Sequence, residues 1–477
     1  MTAPRHAGIR LAALYGGPCL VLFALIAKAS GNIADLDLWH QLALAREALQ
    51  SGRLPLRDSF AYTPTLPVIV HHEWGAGVLG LAILRLLGTS GLMLWNFLLG
   101  AGALSLALSI ARRRGASVRI LILCGLLAAP LVAGGYQPVR AQAYGFLLFC
   151  AALYCAERER EGRHLWLLVW LALFPLWINL HASCVLAWAV FGLTWIERRS
   201  WRVAALLVGM VAVLYLLNPY GAAYVSYLIR SAPKARPLIE EWHPAWTSRI
   251  LPLVLAAWAV LLYALAARWP RREWPAAGLL LLFGIQSMLH LKLAPFFALA
   301  WLAFVPAWIE KTRLARIARD VAGEYEMILR PAWAILVLSC VVFLIATRPW
   351  SLRVPDRDAR PSYPVGPVRF LKSAGFHGRV LAHFEHGAYI SWELAPAVKV
   401  AIDSRYEVAY PDDVVADAIQ VYSLGEWRAF TRKYPTDLIL TQPRYTKLEA
   451  GLAAADWKRV YTDGEYSLWE TPRGLRN

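Results

Sequence analysis

The sequence predicts a mainly α-helical, polytopic membrane protein with about eleven transmembrane helices and a small α/β soluble domain at its C-terminal end. Three observations carry this. Hydrophobic residues make up 58% of the 477 residues, at a mean hydropathy of +0.45, against roughly half or less in soluble chains. Apolar stretches approaching the ~20 residues that cross a bilayer recur from the N-terminus to about Thr347 and then stop. Beyond them the composition turns charged, with short alternating runs. Two domains follow: 1–348, transmembrane with a large first external loop at about 29–90, and an external α/β domain at 349–477.

The formal net charge of +17 would point to nucleic acid in a soluble protein, but here most Lys and Arg residues sit in short loops between apolar runs. The clusters are Arg112, Arg113 and Arg114; Arg158, Arg160 and Arg163; Arg198, Arg199 and Arg202; Arg268, Arg271 and Arg272; and Lys311, Arg313, Arg316 and Arg319. Such loops are retained on the cytoplasmic side, so the charge orients the chain, and no nucleic-acid partner is expected. The six cysteines, Cys19, Cys124, Cys150, Cys155, Cys184 and Cys340, all lie in or beside apolar runs and form neither a disulfide framework nor a CxxC metal site. Arg5, Arg10 and the apolar run to Ile26 have signal-peptide character, with small residues at Ala27 and Ala29; the many spans that follow favour an uncleaved first span.

With Arg5 and Arg10 cytoplasmic, a first span at about 10–28 delivers Ser30 to His72 to the outside. The next apolar run, Trp74 to Gly88, is short and contains Arg85; counted as a span it would place Arg112 to Arg114 outside and invert every later loop. It is therefore assigned to the external face as an interfacial or re-entrant helix. The remaining spans fall at about 91–111, 119–134, 141–156, 165–180, 182–197, 202–218, 251–267, 276–290, 292–309 and 331–347. Every Arg-rich loop is then inside. The external face, periplasmic in a cell (inner) membrane, receives the first loop, a second loop from Pro219 to Ile250, short turns near Tyr136, Asn179 and His290, and the tail.

In the tail, strands are expected at Arg379 to His383, Val398 to Asp403, Asp437 to Thr441, Trp457 to Thr462 and Tyr466 to Glu470, and helices near Val365 to Ser373, Asp413 to Tyr422 and Tyr445 to Ala454.

Chemistry is sought on the external face. Asp35 and Asp37 open the first loop; in an extended backbone two residues apart share a face, so both carboxylates address one divalent cation or one proton. The structural alternative is that Asp37 caps a helix running to about Gln50, with Leu38, Leu42, Ala45 and Leu49 as its apolar stripe and Gly52 at its end. Further on, Glu73 in Val70-His71-His72-Glu73-Trp74 is a second acid, a base or ligand on one reading and a helix first-turn acid on the other. His71 and His72 lack the i, i+4 spacing of a zinc pair on a helix. At the outer ends of spans stand Arg140, Asn179, His181, Glu240, Glu241, His290 and Lys292; ionisable groups at that depth are functional candidates by default, and the cations suit a phosphate-bearing substrate.

Asp35 to Arg46 (DLDLWHQLALAR), followed by Gly52, Pro55 and Asp58-Ser59-Phe60, resembles the first external loop of C-type (GT-C) membrane glycosyltransferases, above all the oligosaccharyltransferase catalytic subunit. In the tail, Phe384 to Ile390 (FEHGAYI), followed by Val400-Ala401-Ile402-Asp403, looks like a degenerate form of that subunit's WWDYG segment. It lacks both tryptophans and has Glu385 for Asp, so recognition of a peptide sequon is not carried over. His72-Glu73-Trp74 resembles the second acidic element of dolichyl-phosphate-mannose-type transferases. The resemblance implies a GT-C-like fold and a glycosyltransferase that takes a sugar from a polyprenyl-phosphate-linked donor in the lipid phase to an acceptor on the external face.

By the same resemblance Asp35, Asp37 and Glu73 are the catalytic acids, with Asp35 and Asp37 also the ligands of any divalent ion such as Mg or Mn. Arg140, Lys292 and His290 bind the donor phosphate, and Glu385 and His72 the acceptor. Two other classes share the architecture: a transporter or lipid-carrier flippase, for which an internal repeat is missing, and a non-catalytic cell-envelope scaffold, to which the degenerate FEHGAYI segment points.

Overall fold

The computed structural model describes residues 16–472 apart from 19, 22, 29–30, 135, 137–138, 232–233, 235, 237–238, 268–272 and 360. Arg5, Arg10, Cys19 and the Arg268, Arg271, Arg272 cluster lie outside the described residues, as does much of the first expected span. The chain divides into two compact units, the first made of residues up to 32 with 89–351, the second of 33–88 with 352–477. The stretch expected as a large external loop thus shares a unit with the tail.

After α1 (Leu36–Ser51), which belongs to the second unit, the chain enters α2 (Trp74–Arg113). Its helical run breaks at Gly88, whose φ of 68° glycine adopts without steric cost; residues 74–87 fall in the second unit and 89–113 in the first. The first unit continues as α3 (Val118–Gly134), α4 (Gln142–Arg160), α5 (Leu165–Leu180), α6 (Leu186–Arg198), α7 (Trp201–Leu216), α8 (Ala222–Ser231), α9 (Leu251–Ala267), α10 (Trp274–Leu289), α11 (Ala294–Ile309), α12 (Arg313–Glu324) and α13 (Glu326–Thr347). Among the described residues, Trp74–Arg113, Leu291–Ile309 and Met327–Thr347 are each long and apolar enough to cross a bilayer, and α3, α5, α7, α9 and α10 are apolar helices of 16 or 17 residues.

α11 is the axis of this unit, with every residue from Ala294 to Ile309 buried against α3, α4, α9 and α10. α13 is the opposite case: Ile335 and Ile345 are 63% exposed and Val342 57%, an apolar face that water would penalise and lipid accepts. The fold is a polytopic helical membrane fold.

The Arg-rich loop ends are tied together by ion pairs. Arg114, after α2, reaches Glu157 near the end of α4 at 2.8 Å and Glu273 before α10 at 2.9 Å, and its guanidinium lies 4.8 Å from the Phe304 ring centre. Arg160 pairs with Glu197 at 2.8 Å. The start of α4 and the end of α10 therefore lie about 25 Å away along each helix, close to a bilayer's hydrocarbon thickness.

The second unit is built on a five-stranded sheet of β1 (Gly378–Leu381), β2 (Val398–Val400), β3 (Leu438–Thr441), β4 (Lys458–Thr462) and β5 (Ser467–Glu470), in the order β2-β1-β3-β5-β4. β1 runs parallel to β2 and β3, and β5 antiparallel to β3 and β4. The helices are α14 (Val365–Ser373), α15 (Phe384–Leu394), α16 (Tyr406–Ala409), α17 (Asp412–Leu424), α18 (Trp427–Lys433) and α19 (Thr446–Ala453). All five strands and three helices expected in the tail are present; FEHGAYI is the start of α15, and α16 and α18 are additional.

The 52–73 stretch is woven into this domain. Tyr62 N donates to Val400 O and Val400 N to Phe60 O, both at 3.0 Å, Leu66 N donates to Ala409 O at 2.9 Å, and Ile69 is a fully buried member of the tail's apolar core.

Candidate functional site

Polar side chains cluster in both units. In the membrane unit, Arg140 precedes α4, His290 follows α10 and Lys292 precedes α11, and one short helical turn, Glu240–Trp242, gathers all three. Arg140 donates to both Glu241 oxygens, Nη1 to Oε2 at 2.6 Å and Nη2 to Oε1 at 2.9 Å, the planar fork geometry of guanidinium on carboxylate. Lys292 Nζ donates to Glu241 Oε1 at 2.8 Å. Burial would raise the Glu241 carboxyl, but Lys292 and Arg140 hold it well below the ordinary range.

Trp242 forms the wall of this cluster: Arg236 lies 4.1 Å and Lys292 5.4 Å from its ring centre, and the His290 ring packs edge-on at 5.5 Å. His290 Nδ1 lies 3.1 Å from Trp242 O, and Gln142 Nε2 donates to Lys292 O at 3.3 Å. Two of the three residues expected to bind phosphate, Arg140 and Lys292, thus meet on the Glu241 carboxylate, and the third, His290, packs on the neighbouring Trp242. Glu241 was among the polar candidates, but nothing in its spacing showed that it bridges the two cations.

In the second unit, α1 packs on α15, so the two segments of the family resemblance touch. Trp39 meets Tyr389 at 5.0 Å and Tyr363 at 5.5 Å between ring centres; Arg46 lies 4.6 Å above Trp392. Gly387 permits this packing to continue onto the sheet, since a Cβ there would lie 2.0 Å from Ile402 O. Similarly, a Cβ on Gly77 would lie 2.4 Å from Gln41 O, bringing the start of α2 against α1.

The helix cap is Asp35 rather than Asp37: Asp35 is extended (φ −75°, ψ 150°) and its Oδ1 accepts from Asp37 N at 3.0 Å, while Asp37 lies in the first turn. One carboxylate thus satisfies an orphan backbone donor, and the other stands 3.9 Å from His40 Nδ1. His40 Nδ1 is also 3.0 Å from Ser404 Oγ, and burial lowers its pKa against the pull of Asp37, Asp403 and Glu73. Gln41 Nε2 donates to Glu73 Oε2 at 2.6 Å, and His72 Nε2 stands 3.4 Å from Glu73 Oε1.

Beneath these lies an ion triad absent from the sequence expectations. Arg405, 4% exposed, binds Asp403 with Nε at 2.9 and 3.0 Å and Nη2 at 2.6 Å, and its Nη1 binds Asp58. Burial would raise the Asp403 carboxyl, yet Arg405 holds it below its usual value. Asp58-Ser59-Phe60 and Asp403 were each part of the family resemblance; Arg405, which joins them, carried no signal of its own. Among the described residues no group of three or more His, Cys, Asp or Glu side chains is arranged to hold a metal, and the Asp35 carboxylate is engaged as a cap. Glu385, at the start of α15, lies 3.4 Å from His383 Nδ1 and 3.7 Å from Arg444 Nη2.

No protein-family profile matches the chain, and no curated protein matches it. Two solved structures of ArnT from Cupriavidus metallidurans are similar over its whole length. One, bound to undecaprenyl phosphate, is 14% identical, with 100% of both chains covered and a TM-score of 0.55. The other, in the apo state, is 13% identical, with 99% of both chains covered and a TM-score of 0.55. The likeness is one of fold, and the fold is that of the GT-C proteins.

Proposed function

We propose that this protein is a membrane glycosyltransferase that moves a sugar from a polyprenyl-phosphate-linked donor to an acceptor on the external face of a cell membrane. The observation that carries the reading is the meeting of Arg140 and Lys292 on Glu241, with His290 on the adjoining Trp242, at the helix ends opposite the Arg114 ion pairs. A fork and a point charge converging on one carboxylate offer the donors that phosphate oxygens require. Support comes from a solved structure of the same fold that holds undecaprenyl phosphate.

In this reading the acceptor hydroxyl loses its proton to a carboxylate as it attacks the anomeric carbon, and the carbon–oxygen bond to the donor phosphate breaks. Asp37 is the preferred base, because the Asp35 carboxylate is committed to the backbone of α1. Glu73, oriented by Gln41, is the second acid. In the membrane unit, Arg140 and Lys292 are the donors suited to the lipid phosphate, exchanging Glu241 for it. The N-terminus is cytoplasmic and the 349–477 domain external.

The test is transfer of radiolabelled sugar from a polyprenyl-phosphate donor by the full chain in proteoliposomes. Wild type should transfer it, and Asp37→Asn should lose at least 100-fold in rate. Undiminished transfer by Asp37→Asn combined with Glu73→Gln would contradict the assignment.

A further inference from the structure

The sheet of the second unit contains a topological switch point that the transfer chemistry does not use. From β1 the chain leaves through α15 to β2 on one side, whereas β3 lies on the other side of β1 and continues through α19 to β4. In open α/β sheets the diverging connections at the carboxyl ends of such strands leave a crevice where ligands bind. Here the crevice is flanked by His383, Phe384, Glu385 and His386 after β1, and by Gln442, Arg444 and Tyr445 after β3.

The side chains cross it. His386 is 3% exposed, with Nε2 3.4 Å from Gln442 Oε1. The amide is oriented by its own Nε2, which donates to Glu465 Oε1 at 3.2 Å, so the imidazole donates through Nε2 and its Nδ1 is a bare acceptor. That buried Nδ1 has no hydrogen-bond partner, although buried polar groups are almost always paired. Glu385 pairs with His383 and Arg444 at the mouth. Aromatic rings line the sides: Tyr445 lies 6.1 Å from His383 and 4.9 Å from Tyr422, and Arg444 stacks 4.9 Å over Tyr445.

Two helix N-termini and Arg444 alone would suit an anion. The Glu385 carboxylate and the His386 acceptor nitrogen reverse that preference, because the carboxylate repels an anion and the nitrogen lacks a donor. The neighbouring His383 holds Glu385 down at about 2, and burial lowers His386 to about 4, so near neutral pH the crevice presents a carboxylate and a neutral imidazole. Hydroxyl groups, each with one proton to donate, match these acceptors and accept from Arg444, and the C–H faces of a sugar ring pack on tyrosine.

We propose that this crevice is a binding site for a neutral saccharide and, resting on the transferase reading, that the saccharide belongs to the acceptor. The full chain in lipid nanodiscs, exposed to an array of neutral and phosphorylated saccharides, should retain neutral ones. Glu385→Gln and Arg444→Ala, the latter at an exposed position, should each weaken that binding roughly tenfold, and millimolar inorganic phosphate should not compete. In the proteoliposome assay the same variants should raise the acceptor KM with kcat little changed. Retention of no neutral saccharide, retention unaffected by both variants, or displacement by phosphate would overturn the site. Binding lost without a change in acceptor KM would overturn the acceptor assignment. Absence of transfer by wild type would instead count against the transferase reading and leave the array result standing.

Discussion

Gln41 donates to Glu73 at 2.6 Å, joining the helix that begins with the first acidic pair to the segment that carries the second acid, 32 residues on. The bond fixes which Glu73 oxygen is engaged and leaves Oε1 beside His72. On the proposed chemistry, Glu73→Gln should lower kcat by 100-fold or more. Gln41→Leu, which removes only the orienting donor, should lower it by about tenfold. Steady-state transfer in proteoliposomes measures both; equal, small effects would remove Glu73 from the reaction.

Arg140 and Lys292 should behave as phosphate holders. Arg140→Ala and Lys292→Ala should each reduce kcat/KM for the lipid donor by 10- to 100-fold, since a charge-assisted bond contributes about 1.5–3 kcal/mol. Glu241→Gln keeps the shape and weakens the competing ion pair, so it should lower the donor KM. A raised donor KM in that variant would mean that Glu241 orders the cations rather than occupies their site.

The close approach of Gly387 to Ile402 and Asp403 predicts a stability effect. Gly387→Ala places a Cβ 2.0 Å from a carbonyl oxygen, forcing α15 off the sheet at a cost of about 1–3 kcal/mol. Thermal unfolding of the full chain in detergent should show the tail transition lowered by several degrees.

Asp403, Arg405 and Asp58 should fail as a unit. Arg405→Met leaves two buried carboxylates without their partner, which costs about 3–5 kcal/mol. Asp403→Asn should show a similar loss, and the double variant less than the sum of the two singles. Additive losses in thermal melts would show that the groups do not act together.

Stability should also depend on pH through His386. Its folded pKa of about 4 lies below the ~6.5 of an unfolded histidine, so the unfolded chain takes up the proton first. Its contribution is complete above about pH 6.5 and is lost as pH falls toward 4. Glu385, depressed to about 2, adds a loss of the same sign between about pH 4.5 and 2. Melts of the full chain from pH 7.5 to 4 should show falling stability, with His386→Asn flattening the upper part of the slope; an unchanged slope would contradict this origin.

Much of the architecture is legible from local patterns. Apolar runs of span length, their abrupt end near Thr347 and the alternating runs of the tail are properties of neighbouring residues, and so most apolar helices, three helices of the tail and all five strands could be placed. The Arg140, Lys292 and His290 set was also accessible, because a charge at the end of an apolar helix stands out. What was not legible depends on pairing across long separations. Arg405 meets Asp58 across 347 positions, and His40 meets Ser404 across 364, with no spacing rule to announce either. The shift of the cap from Asp37 to Asp35 is a matter of two residues, within the range over which helix ends are set by capping geometry rather than apolar pattern.

The most direct test is mass spectrometry of polyprenyl-linked sugars and envelope glycans in a strain lacking this protein, complemented with wild type or with Asp35→Asn/Asp37→Asn at equal membrane expression. The transferase reading predicts that the double variant behaves like the deletion, accumulating one lipid-linked sugar and losing one glycan modification. A wild-type profile restored by the double variant would contradict it and leave both acids as parts of the α1 helix start.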